Sequence, residues 1–123
     1  ELIDCFFEAG EIDEIWITFP DPQIKYKRTK HRLIHPDFLN RYKKILREDG
    51  IIHLKTDSEF LHGYTLGLLQ GLGHDILTAH HDIYGAPEYQ PENAPLLREI
   101  QTYYEGLFSA KGKTITYIQF RIR

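Results

Sequence analysis

Apolar residues change period several times along this chain, and each change marks an element. Leu2, Ile3, Phe6 and Phe7 recur at helical spacing and Gly10 suits a C-cap, which predicts the end of a helix. Ile15 to Thr18 is a short apolar run leading into Phe19-Pro20. It predicts a buried strand that opens into a loop, because Pro20 and Pro22 cannot join a central ladder. From Asp21 to about Ile34 there is charge without period, hence loop. Pro36 suits the first turn of a helix. Phe38, Leu39, Tyr42, Ile45 and Leu46 then share one helical face, and Asp49-Gly50 is expected to end that helix. Ile51 to Lys55 predicts a second buried strand. Thr56-Asp57-Ser58 reads as a strand-to-helix turn with Ser58 as N-cap. The next helix runs to about Leu72. Its Gly63, Gly67 and Gly71, at four-residue spacing, are expected to form a small face packed closely on a sheet. His62 and Gln70 argue against the membrane-dimer reading of the same glycines. Asp75 to Asp82 predicts a third strand, and Gly85 to Pro95, with its prolines, a loop. Leu96 to Leu107 predicts a helix and Thr114 to Arg123 an alternating final strand.

Helices and strands thus alternate, which predicts an α/β fold: a mostly parallel sheet with helices on both faces. No repeat or internal boundary divides residues 1–123, so they form one domain or part of one. Open sheets of this kind bind ligands beyond the carboxyl ends of their strands. Asp21 and Asp57 each follow a predicted strand end, which is the first sign that they share a site.

Charge sharpens the picture. The net charge is -3, yet five of the 15 Lys and Arg residues (Lys25, Lys27, Arg28, Lys30 and Arg32) fall within eight positions, with His31 among them and no acid between. A solvated loop is the ordinary reading of such a run. A run of one sign repels itself unless it meets an anion, so phosphate contact is the sharper reading. Asp21 between two prolines is either a rigid-turn residue or a carboxylate held at a set position. Asp57 is either a helix cap or a ligand-binding group. Thr102 and Glu105 share a helix face, and their spacing alone carries no chemistry. Tyr26 either stacks on a base or packs.

Other classes are excluded or disfavoured. No apolar run approaches the roughly 20 residues of a membrane span, so no membrane partner is expected. The acidic, amphipathic start is unlike a signal peptide. The single Cys5, in an apolar helical pattern, reads as a small buried residue and suits a reducing, cytoplasmic setting. No Cys/His spacing matches a zinc site, and no metal is expected. Walker, nucleophile-elbow and Gly-x-Gly-x-x-Gly motifs are absent, since Gly71-Leu72-Gly73 follows a helix and not a strand.

Ile15-Trp16-Ile17-Thr18-Phe19-Pro20-Asp21-Pro22 with the basic run behind it resembles the bacterial tRNA (guanine-N7)-methyltransferase family. Arg32-Leu33, Leu54-Lys55-Thr56-Asp57, Thr102-Tyr103-Tyr104-Glu105, Gly112 and the final strand continue the resemblance in order over nearly the whole chain. The resemblance implies the C-terminal part of a Rossmann-like class I methyltransferase fold, S-adenosylmethionine as cofactor and tRNA as partner. It implies that Asp21 is the catalytic acidic residue and also borders the cofactor. It makes Lys25, Asp57, Thr102, Tyr103, Tyr104 and Glu105 substrate-binding positions. Lys27, Arg28, Thr29, Lys30, His31 and Arg32 match its RNA-contacting segment. The family often carries Trp-Pro after Phe-Pro-Asp-Pro, where this chain has Gln23-Ile24. The family's Gly-rich cofactor loop precedes the first strand seen here, so an absent N-terminal half, and a chain inactive alone, is the expectation. A methyltransferase of the same fold acting on a small molecule or protein, and a non-catalytic RNA-binding module, are the competing readings.

Overall fold

The structure is a computed structural model that describes residues 12–18, 36–95, 97–98 and 112–123. The elements are β1 (Ile12–Thr18), α1 (Pro36–Ile45), β2 (Leu46–Thr56), α2 (Glu59–Leu72), β3 (Asp75–His80) and β4 (Thr116–Arg121). The predicted helices over 1–10 and 96–107 fall largely outside the described residues.

The strands form one sheet in the order β1-β2-β4-β3. β2 pairs with β1 in parallel and with β4 antiparallel, and β3 also runs antiparallel to β4. β1, β2 and β3 therefore share one direction, and β4 is inserted between β2 and β3 against it. Alternation of elements predicts the common direction. It does not predict the inserted strand, whose partners lie more than thirty residues upstream.

Each element follows from its residues. Leu39, Tyr42 and Ile45 bury one side of α1, while Lys43 and Lys44 favour its C-terminal dipole end. Ser58 caps α2 by accepting a hydrogen bond from the Leu61 amide at 3.1 Å. At the other end Gly73 is left-handed (φ 78°), and the amides of Gly73 and His74 return to Gln70 and Leu69 carbonyls. None of the described helices is long and apolar enough to cross a membrane.

Two expectations need correction. Asp49-Gly50 does not end α1, which stops at Ile45; it lies inside β2, where the pairing with β1 shifts register between Ile12 and Glu14. Asp49 has φ 67°, and a Cβ on Gly50 would come within 2.9 Å of the Arg47 carbonyl oxygen, so the extra residues bulge out of the ladder there. The glycine face of α2 is also not the packed one. Leu61, Thr65 and Leu69 are buried, whereas Gly63, Gly67 and Gly71 are exposed and a Cβ on any of them would meet nothing within 4 Å. Leucines, with more apolar area to remove from water, take the inward face.

Strand pairing assigns two unlike faces to the sheet. Ile17, Ile52, Leu54, Ile118 and Phe120 share one face, and both α1 and α2 pack on it through Leu39, Tyr42, Leu61 and Leu69. Trp16, His53, Lys55, Tyr117 and Gln119 share the other. Among the described residues, that face is covered by the irregular segment 83–98, whose Ile83, Ala94 and Leu97 pack with Ile115 and Tyr117.

In the full-length protein, Gly67→Ala should leave stability unchanged or raise it by up to about 1 kcal/mol, since Ala is the better helix former and has room. Leu54→Ala should cost about 3 kcal/mol by leaving a cavity between sheet and helices. Urea unfolding of the two variants tests the assignment of faces; a clear loss of stability in Gly67→Ala would overturn it.

Candidate active site

β1 and β2 end side by side, with Thr18 paired to Lys55. On the other flank Thr56 pairs with Thr116, whose hydroxyl donates to the Thr56 carbonyl at 2.8 Å in a buried contact. The turn that follows is held from both sides. The Ser58 amide donates to the Thr56 hydroxyl at 3.1 Å, and the Ser58 hydroxyl caps α2. Asp57 lies between these committed neighbours, so its backbone has little freedom. Its carboxylate keeps one fifth of its side-chain surface open and receives the Lys113 ammonium at 3.2 Å. Ser58 does the capping, which frees Asp57 for other partners. An ionised carboxylate accepts hydrogen bonds and donates none, and one at the start of a helix is favoured by the helix dipole.

Behind this edge, on the second face, runs a chain of polar side chains. Gln119 Nε2 donates to the Tyr117 hydroxyl at 2.9 Å, and Tyr117 meets His53 Nδ1 at 2.6 Å. His53 Nε2 meets Glu14 Oε2 at 2.8 Å. Asn93 Nδ2 donates to Gln119 Oε1 at 3.1 Å. Because Tyr117 already accepts from Gln119, its own proton points to His53 Nδ1, which leaves the imidazole proton on Nε2 for Glu14. Trp16 covers the imidazole, with ring centroids 3.9 Å apart and planes 4° from parallel. Burial pushes His53 below the ordinary histidine value, against the pull of Glu14, and pushes the Tyr117 phenol up. Both groups therefore stay neutral near pH 7, and the network is a fixed scaffold under the strand ends.

A sequence model described as "Putative methyltransferase" matches residues 1–118. The chain belongs to this family. A tRNA (guanine-N(7)-)-methyltransferase of Christiangramia forsetii is 63% identical over 123 residues, all of this chain and 53% of that protein. Proteins of the same name from Porphyromonas gingivalis and Bacteroides thetaiotaomicron are 45% and 43% identical, over 98% and 99% of this chain and 47% and 46% of their own lengths. The chain thus spans about half the length of these relatives. Among solved structures, a geranyl diphosphate methyltransferase in complex with GPP and sinefungin aligns over 93% of this chain and 46% of its own, at a TM-score of 0.41 and 16% identity, a likeness too slight to weigh.

Of the residues expected to serve a methyltransferase, Asp57 is described. Asp21, Lys25, Lys27, Arg28, Thr29, Lys30, His31, Arg32, Thr102, Tyr103, Tyr104 and Glu105 lie outside the described residues, as does Cys5. Among the described residues, no group of three or more His, Cys, Asp or Glu side chains is arranged to hold a metal. Sequence reasoning passed over Glu14, His53, Tyr117 and Lys113. A signal for His53 was present: Ile52-His53-Leu54-Lys55-Thr56 alternates, which is odd for a strand buried on both faces.

The two possible roles of Asp57 separate by stability. Ser58→Ala should cost about 1 kcal/mol through loss of the cap. Asp57→Asn should cost less than about 1 kcal/mol, since its ion-pair partner Lys113 is half exposed and an amide can still occupy the site. Thermal unfolding of both variants checks this; an Asp57→Asn loss larger than that of Ser58→Ala would make Asp57 a structural residue.

Proposed function

We propose that the protein transfers a methyl group from S-adenosylmethionine to N7 of a guanosine in the variable loop of tRNA. The observation that carries this reading is the parallel register of β1 and β2. It ends the two strands side by side, one leading into Phe19-Pro20-Asp21-Pro22 and the other into Asp57. Asp21 is three residues beyond Thr18, so chain length alone keeps it within roughly 11 Å. The names of the relatives, over the matching half of their length, support the same reading.

The chemistry asks for what these residues can supply. Guanine N7 has an exposed lone pair and carries no proton at neutral pH, so it attacks a methyl group without a general base. S-adenosylmethionine, when bound, supplies that methyl in activated form on a cationic sulfonium. An acidic group at the strand ends suits a cationic donor, and Asp57 is part-open there. The protein's work is then to align nucleophile and methyl group. Asp21 accepts hydrogen bonds from the guanine N1-H and exocyclic amine, and its charge offsets the positive charge that grows on the ring. Asp57 contacts the same base from the neighbouring strand end. Lys25, Thr102, Tyr103, Tyr104 and Glu105 complete the substrate site. Removing a base from its stack costs a few kcal/mol, and Lys27, Arg28, Thr29, Lys30, His31 and Arg32 offset this through the flanking phosphates.

In the full-length protein, Asp21→Asn should lower kcat/KM for tRNA methylation by about a hundredfold. Transfer of labelled methyl at a near wild-type rate would remove Asp21 from the mechanism. Charge reversal at Lys27, Arg28 and Lys30 should weaken tRNA binding and flatten its salt dependence by about one unit of slope per lost phosphate contact. Binding curves unchanged at several salt concentrations would sink the assignment of this run to RNA.

A further inference from the structure

Lys55 is only 1% exposed. It faces the second side of the sheet, where an apolar side chain would serve packing better, since a buried charge is a poor source of stability. Its ammonium donates to the Leu97 carbonyl at 2.6 Å in a buried contact. The next residue, Arg98, donates from Nε to the Ile83 carbonyl at 2.8 Å and from Nη2 to the carbonyls of Ala86 and Tyr89 at 2.8 and 2.6 Å. The Leu97 side chain is buried with Ile83, Ala94, Ile115 and Tyr117. The chain is therefore pinned at two consecutive residues, by a cation from the sheet and by its own guanidinium. These bonds are charge-assisted and directional, which sets position more sharply than apolar contact does.

The place of Lys55 gives this pin a purpose. Lys55 is paired in register with Thr18 on one side and Tyr117 on the other, and it lies two residues before Asp57. Leu97 lies five residues before Thr102. We infer that Lys55 is a positioning residue, whose ammonium, with Arg98, fixes the backbone at Leu97 and Arg98, the residues that precede Thr102–Glu105 in sequence, against the strand ends that lead to Asp21 and Asp57. The inference rests on the functional reading above for what Thr102 and Glu105 do, and on the hydrogen bonds alone for the clamp.

The test uses the full-length protein carrying Lys55→Met, which keeps the length of the side chain and removes its charge. Backbone amides over 97–105 should exchange about tenfold faster, with protection in β2 and β4 retained. The kcat/KM for tRNA should fall about tenfold or more. Because Lys55 acts through the segment, Thr102→Ala should cost much less in the Lys55→Met background than in wild type. Lys55→Arg should restore part of the loss. Wild-type exchange rates over 97–105 overturn the clamp, and so does a Thr102→Ala penalty that is the same in both backgrounds. A loss of folding in Lys55→Met transfers the same measurements to Arg98→Met, where the same pattern is expected and its absence equally overturns the inference. A wild-type protein that does not methylate guanine N7 overturns the functional reading, while the exchange measurement still decides the clamp.

Discussion

β2 is hydrogen-bonded along both edges, in parallel to β1 and antiparallel to β4, so every residue from Ile52 to Lys55 has a set neighbour on either side. Because side chains alternate across a strand, that pairing also decides which residues meet above and below the sheet. Leu54 falls beside Ile17 and Ile118 under the helices, and Lys55 beside Thr18 and Tyr117 on the opposite side. A slip of one residue would turn the apolar set outward and the polar set into the helix-packed core. The strand ends inherit the same register, and so the turn carrying Asp57 leaves the sheet beside the exit of β1.

The two faces meet this constraint differently. The helix-packed face is held by area removed from water, which has no preferred direction. The other face carries His53, Lys55 and Gln119, all nearly inaccessible. Buried polar groups are costly unless paired, and here they are paired in series, from Glu14 through His53 and Tyr117 to Gln119 and Asn93. Such a series tolerates few arrangements. It exchanges some stability for a defined geometry, on the face over which the segment 83–98 must lie before the chain reaches Thr102.

The chain's own pattern makes much of this legible. The start of the helix at Pro36, the strand over Ile51 to Lys55, the Ser58 cap and the last two strands follow from local periodicity and cap chemistry, all short-range effects. The glycine spacing on α2 misleads, because a periodic stripe of small residues reports helical geometry and not which stripe faces inward; Leu61, Thr65 and Leu69 win that face by burying more. Asp49-Gly50 misleads because the same dipeptide suits a helix stop and a strand bulge, and the choice depends on the partner strand.

By itself the sequence determines the alternation of elements, the turn that exposes Asp57 and the motif around Asp21, because each depends on residues within a few positions of one another. The tertiary structure alone decides three things. It inserts β4 against the direction of its neighbours, it places both described helices on one face, and it brings the Lys55 ammonium to the Leu97 carbonyl across 42 residues of chain. These are pairings between distant segments, set by which faces and edges remain to be covered once the local elements exist. Strand register brings the end of β1, which leads in sequence to Phe19-Pro20-Asp21-Pro22, beside the end of β2 that leads to Asp57.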